Sequence, residues 1–453
     1  MKKFENIAQV IGNTPIVKIN LFTEFRGNYY VKLESFNPGG SSKDRIAVSI
    51  IDDAEKTGLL KPGSVIIEAT SGNTGLGLAI VGITRGYRVI LVMPDKMSPE
   101  KMYLVKALGC EVYVCPTEVE PDDPQSYYSV SARLVEETEN SFYANQYYNE
   151  ANPAAHYETT GPEIWEQTEG KVTHFIAGAG TGGTLSGTAK FLKEKNPDIK
   201  IIGIDPLGSI LAYYHKYRTT DGSQAKTYLT EGVGEDIIPS NVHFDLIDDF
   251  ITVSDQQSMT WTRKIALKEG ILVGPSSGMV LAGCYDYASK IEDKNALIVL
   301  LLPDTGERYL TKVFSDSWMR SHGFIDPARS LKQILDSKSA NLPPIISLNG
   351  ENTLANALMK IQKFRIEVLL IELDDKIKYL TNYDIYNQLL QGKEKSIKLK
   401  NFELRDLNSI SIDASLDELK SKIIEDKQVI VKDGDNIIGI ITMEDVIENM
   451  FFD

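Results

Sequence analysis

The chain is poor in the residues that staple a fold together or carry it through a membrane. Its 453 residues include three cysteines (Cys110, Cys115 and Cys284), five histidines and three tryptophans. Three cysteines with no CxxC spacing make neither a disulfide framework nor a zinc knuckle, and so sparse a count fits a reducing cytoplasm. No stretch approaches the roughly 18 apolar residues of a membrane span, and the run Leu297 to Leu302 has the length of a buried strand. The first residues, MKKFEN, lack the apolar core of a signal peptide. These shortages predict a cytoplasmic protein with no membrane partner. Positive charge is short too: 48 Lys and Arg against 63 Asp and Glu leave a net charge of −15. Such a chain repels polyphosphate on average, which argues against nucleic acid or an anionic membrane as its main partner. His156, His174, His215, His243 and His322 are scattered, and no ligand set for a metal emerges.

What is present is ordinary globular material, 42% hydrophobic and 25% charged, and long enough for about three domains at roughly 150 residues each. From Ile11 to Met319 short apolar runs alternate with helical stretches. Gly86 to Met93, Glu111 to Val114, His174 to Ala177, Ile199 to Ile204 and Leu297 to Leu302 read as buried strands, β-branched and bounded by Gly, Pro or Asp. Helices such as Leu76 to Thr84 and Thr184 to Glu194 lie between them. That alternation predicts an α/β fold with a parallel sheet covered on both faces. After Gly323 the texture changes. Residues 324–344 contain a helix-like piece and end in Pro343-Pro344, a linker. Beyond it, residues 345–392 and 401–453 repeat one strand–helix–strand–strand–helix pattern with a period of about 60 residues. The first copy closes on YLTNYDI (379–385) and the second on GIITMEDV (439–446), which suggests a pseudo-symmetric module.

Four segments carry chemistry. NPGGSSKDR (37–45) is a Gly-rich loop opening a helix that runs to about Lys56. A lysine in a helix's first turn sits where the macrodipole disfavours its charge, which suits an amine that must lose its proton. An exposed lysine after a capping serine fits the same letters. EATSGNTG (68–75) gathers hydroxyls, an amide and backbone N–H groups between the strand Val65 to Ile67 and a helix, a natural carboxylate pocket. GAGTGGT (178–184) again joins strand to helix, and its glycines let backbone amides approach a phosphate. Gly178, Gly180 and Gly183, with Asp205 further on, also spell a dinucleotide fingerprint. GPSSG (274–278), after strand-like Ile271 to Val273, is by itself a capped turn.

Taken together and in this order, these segments resemble the cysteine synthase and cystathionine β-synthase family of fold-type II pyridoxal-phosphate enzymes. MPDKMSPEK (93–101), NPAAHY (152–157), DPLGS (205–209), EGVG (231–234) and the run from Leu302-Pro303-Asp304 through Trp318-Met319 add to the likeness. The resemblance covers residues 1–323 as a catalytic domain of parallel sheets flanked by helices. It displaces the dinucleotide reading. It extends through 345–392 and 401–453 as two CBS domains, together a tandem CBS (Bateman) module.

The resemblance implies pyridoxal 5'-phosphate as cofactor, held covalently by Lys43, which also moves the substrate's Cα proton. Asn73 is implied to bond the ring's 3'-oxygen, and Gly180, Thr181, Gly182, Gly183 and Thr184 to cradle the phosphate. Ser276 is implied to face the ring nitrogen. A neutral hydroxyl there makes a weaker electron sink than a carboxylate would, which favours expelling a β-substituent over transamination. Thr70, Ser71, Gly72, Thr74 and Gln146 are implied to bind the amino acid's carboxylate. The reaction implied is β-replacement, L-serine plus L-homocysteine giving L-cystathionine and water. The same scaffold could instead join O-acetylserine to sulfide, as a cysteine synthase, or be a nucleotide sensor with a degenerate enzyme half. The intact motif residues argue against the last. Where animal and yeast members carry a tyrosine after EGxG, this chain has Glu235, a carboxylate expected to affect thiol preference. The IGNTP motif begins at Ile11, leaving no room for a haem-binding extension, so no haem is expected. In the tail, the resemblance implies a ribose grip by Thr442 and Asp445, preceded by Gly439, and by Thr381 and Asp384 in the first copy. S-adenosylmethionine, AMP or ATP would be the ligand, unless both copies merely pack. Family members are homodimers or homotetramers, which this chain is expected to share.

Overall fold

The computed structural model of the chain describes residues 3–120, 122–220, 222–338, 343, 345–374 and 376–450. The expected linker's residues 339–342 and 344, and the last three residues of the expected second repeat, lie outside the described residues. The chain divides into two compact units, Met1–Val313 and Phe314–Asp453.

The first unit holds two sheets. One has six strands in the order β1-β2-β10-β7-β8-β9, formed by Ile16–Lys18, Asn28–Leu33, Leu297–Leu302, His174–Gly178, Lys200–Pro206 and Asp249–Val253. All its pairings are parallel except β1 with β2. The other is wholly parallel, in the order β5-β4-β3-β6, with β3 at Val65–Ala69, β4 at Arg88–Pro94, β5 at Glu111–Cys115 and β6 at Ser141–Tyr143. The parallel sheet expected from sequence is therefore two sheets.

The continuous apolar runs are explained by burial on both faces. In β10, Ile298, Leu300 and Leu302 face one core, with the helix Pro275–Ala288, while Val299 and Leu301 face another with Phe175 and Ala177 of β7. In β4, Val89, Leu91 and Met93 pack on one side and Ile90 and Val92 on the other. β5 departs from expectation. It is an edge strand in which only Cys115 is buried and Tyr113 and Val114 are exposed, because no further strand pairs with it. Ile271 to Val273 is not a strand either: only Val273 makes an isolated bridge, to Thr305.

In the second unit the repeat is real. β11 (Ser347–Asn349), the helix Leu354–Phe364, β12 (Val368–Leu373), β13 (Lys376–Thr381) and the helix Asn382–Leu390 form the first copy, with the short β14 (Arg405–Asp406) beside β13. β15 (Ser409–Ser411), the helix Leu416–Asp426, β16 (Gln428–Asp433), β17 (Asn436–Thr442) and the helix Met443–Met450 form the second. Each copy has its own core. The helix Leu331–Ser337 contributes Leu331 and Ile334 to the second. Among the described residues no helix is long and apolar enough to cross a membrane, and no cluster of His, Cys, Asp and Glu could hold a metal.

Candidate active site

In parallel sheets the loops after the strands' carboxyl ends gather on one side, and ligands bind there. Three of the four motif segments lie in such loops or at the helices they open. After β3, Gly72 (φ +113) turns the chain into the helix Asn73–Thr84. After β7, Gly182 (φ +92) opens the helix Gly183–Lys195. A Cβ on Gly182 would stand 2.6 Å from the Asn241 carbonyl, and one on Gly183 would collide with Asn152. The loop thus packs close, with the amides of a helix's first turn left for an anion.

Lys43 is the first residue of the helix Lys43–Lys56, and Ser42 before it makes no side-chain cap. The helix lies so close to Asn73–Thr84 that a Cβ on Gly77 would stand 2.8 Å from the Lys43 carbonyl oxygen. The Lys43 amine has no hydrogen-bond partner among the described residues. Burial lowers its pKa, against the opposing pull of Asp304 and Glu235. That environment is the one a nucleophilic or basic amine needs. Nearby, Ser42 Oγ, Asp44 Oδ1, Ser277 Oγ and Asp304 Oδ1 are buried without partners.

Lys43, Ser71, Gln146 and Thr181 line a cavity of ≈ 470 Å³, with Glu235 and several tyrosines on its wall. Gln146 accepts from Thr74 Oγ1 at 2.6 Å and donates to the Ala69 carbonyl at 3.1 Å. Thr70 is fully buried, and its hydroxyl accepts from the Gly72 and Gly75 amides, so it shapes the turn. Ser276 is buried in the first turn of Pro275–Ala288. Asn73 donates to Asp304 Oδ2 at 2.9 Å and receives Arg308 Nη1.

Sequence reasoning missed four residues of this region. Asp304 and Arg308 flank Asn73 from more than 200 positions away. His156, expected only to pack, is fully buried and bridges Thr160 Oγ1 (2.8 Å) and Thr184 Oγ1 (3.1 Å). Burial lowers its pKa to about 3, so it orients Thr184 as a neutral ring. Asn152 likewise donates to Thr181 Oγ1 at 3.0 Å. Both sit in NPAAHY, as Asp304 and Arg308 sit in the run from Leu302 to Met319, the available signals.

In the tail, Thr381 with Asp384 and Thr442 with Asp445 form matching reciprocal bonds at helix starts. Each threonine caps the helix and each aspartate accepts from the threonine amide. Each aspartate also meets a cation: Asp384 with Arg405 at 2.7 Å, Asp445 with Lys338 at 2.6 Å.

The residues present fit pyridoxal phosphate: a partner-free amine in a helix's first turn, facing a cavity, and a glycine cradle at a second helix start. Comparison agrees. Residues 7–304 match the family described as pyridoxal-phosphate dependent enzyme, and residues 399–451 match the CBS domain. The cystathionine beta-synthase of Apis mellifera is 44% identical over 329 residues, 72% of this chain and 64% of that protein, so the chain spans less than two thirds of that relative. The Dictyostelium discoideum cystathionine beta-synthase is 35% identical over 460 residues, 98% of this chain and 91% of that one. The crystal structure of the O-acetylserine dependent cystathionine beta-synthase from Helicobacter pylori superposes with a TM-score of 0.63 at 37% identity, over 69% of this chain and 99% of the other.

Proposed function

The chain belongs to the pyridoxal-phosphate-dependent enzymes, of fold type II with a C-terminal CBS domain, and from that membership we propose that it catalyses β-replacement, joining L-serine to L-homocysteine to give L-cystathionine and water. The observation that carries this reading is the convergence of Lys43, Ser71, Gln146 and Thr181 on one cavity. The cofactor supplies the electron sink that lets a β-substituent leave an amino acid. Lys43 would hold it, with Asn73 and Ser276 about the ring and Gly180 to Thr184 about the phosphate. The Lys43 amine, its proton affinity lowered by burial, takes the proton from the substrate's Cα and returns one to the departing β-oxygen. Ser71, Gly72, Thr74 and Gln146 orient the substrate carboxylate, while Thr70 fixes the turn that presents them. His156 and Asn152 set the two threonines of the cradle.

In this reading residues 1–323 form the catalytic domain, 324–344 a linker, and 345–392 and 401–453 two regulatory copies. These copies take an adenosyl ligand, S-adenosylmethionine or AMP or ATP, at Thr442 and Asp445 and at Thr381 and Asp384. The protein acts in the cytoplasm as a homodimer or homotetramer. The test is a competition: purified protein receives L-serine, O-acetylserine, L-homocysteine and sulfide together, and mass spectrometry names the product. Dominant cystathionine supports the reading. Cysteine alone replaces it with cysteine synthase chemistry.

A further inference from the structure

Glu235 is the one buried acid on the cavity wall without a partner among the described residues. Glu231 beside it is taken by Lys101 at 2.8 Å and Lys312 at 2.6 Å, while Glu118, Glu120 and Asp236 are exposed. Glu235 is 9% exposed, and no hydrogen bond or ion pair reaches its carboxyl from the described residues. Its backbone is pinned. The preceding Gly234 has φ +70, and a Cβ there would stand 2.8 Å from Tyr228 Oη. The Glu235 amide donates to Ser209 Oγ at 3.0 Å, and its carbonyl accepts from the Ile210 amide at 3.0 Å. A carboxyl on a cavity wall with no protein partner is open to pairing with a ligand that enters the cavity. Burial, with Asp236 and Asp205 nearby, holds its pKa well above the usual carboxylate range, and Lys96 and Lys43 pull the other way. The Lys96 amine lies on the same wall, 5.2 Å from the centroid of the Tyr228 ring. The same cavity is lined by an aromatic surface in which Tyr127 and Tyr147 are hydroxyl to hydroxyl at 3.3 Å and the Tyr127 and Tyr128 rings are 4.1 Å apart.

We propose that Glu235 and Lys96 form a receptor for the amino-acid head of the second substrate, Glu235 taking its ammonium and Lys96 its carboxylate while the tyrosines cover its methylenes. The inference rests on the β-replacement reading and narrows it: the cavity selects a thiol carried by an α-amino acid over sulfide or a plain alkanethiol. Bonds to charged groups have the strength that makes the difference, so loss of either partner costs about tenfold or more in discrimination.

The experiment compares the holoenzyme with its Glu235→Gln and Lys96→Met variants. Each is given L-serine with L-homocysteine or with 1-propanethiol, which has the same reach to sulfur and no head group. The ratio of kcat/KM for homocysteine to that for propanethiol is expected to fall at least about tenfold in each variant, through a raised homocysteine KM. An unchanged ratio in both variants, with cystathionine still formed by the wild type, overturns the receptor alone. No cystathionine from the wild type overturns the parent reading and the receptor with it. Should Glu235→Gln not fold, Lys96→Met, at an exposed side chain, still decides.

Discussion

Lys338 places its amine 2.6 Å from Asp445 Oδ2 and 2.9 Å from the Ile440 carbonyl, directly over the turn proposed to grip a ribose. Leu335, one turn earlier in the same segment, sits where a Cβ on Gly439 would stand 2.8 Å from its Cδ2. A ribose that binds Asp445 therefore competes with a cation already on one of its oxygens. Partly exposed ion pairs are weak, so removing this one costs the fold little and frees the carboxylate. Calorimetry with S-adenosylmethionine, AMP and ATP is expected to show tighter binding to Lys338→Met than to wild type, by about two- to fivefold, and none to Asp445→Ala. Equal affinity in all three proteins would remove Asp445 from the site.

How much of this was legible in the sequence depended on whether the cause was local. β3, β7, β8 and β10 were legible because burial on both faces writes itself as an unbroken apolar run. The loops at 70–75 and 178–184 were legible because close backbone approach demands glycine at fixed places. The Asn73–Asp304 bond was not, because its partners are 231 positions apart and neither letter requires the other. β5 was misjudged for the same reason. Its alternating Val and Tyr fit a buried strand, and only the sheet order shows that nothing lies beyond it. His156 looked inert because one histidine in a helix gives no sign of Thr184, 28 positions on.

Lys43→Ala tests the assignment on which the chemistry depends. The side chain is half-buried and makes no hydrogen bond to the described residues, so the variant is expected to keep its far-ultraviolet circular dichroism. Borohydride reduction should attach the cofactor to the wild-type peptide containing Lys43 and to nothing in the variant. Turnover should fall by at least about 100-fold, the lower end for loss of a proton-transfer group. Attachment at another lysine would sink the assignment.

Arg45 anchors the first turn of the helix that begins at Lys43. Its guanidinium holds Glu34 at 2.7 and 2.9 Å and Glu163 at 2.7 and 2.8 Å, and Lys32 completes the cluster at 2.6 Å from Glu163. Removing one member of a buried ion cluster leaves an uncompensated charge, so Arg45→Met should lose about 3–5 kcal/mol in urea unfolding at neutral pH. Burial pushes the Glu34 carboxyl up, but Arg45 outweighs it and holds it down to about 2. Its contribution is therefore present above the ordinary carboxylate range and fades as pH falls toward 2. A loss below about 1 kcal/mol would show the cluster to be dispensable.

Glu68 gives the opposite pH dependence. It is fully buried on β3, and its two oxygens accept from the Asn145 and Gln146 amides at 2.7 and 3.2 Å, which sets the loop carrying Gln146. Burial outweighs those bonds and pushes the carboxyl up to about 8. The unfolded chain releases this proton near the usual value of 4.5, while the folded chain keeps it. Between those limits the folded state binds more protons, so the stability tied to Glu68 is complete below the lower value and is lost as pH rises toward the upper one. Asp44 and Asp205, each pushed up to about 7 by burial, titrate alike in wild type and variant, so subtracting a Glu68→Gln curve isolates the one group. Urea unfolding at half-unit steps from pH 5 to 8.5 should show wild-type stability falling relative to the variant's across that window. Parallel curves would mean that Glu68 is already ionised in the folded protein, its charge carried by the two amides alone.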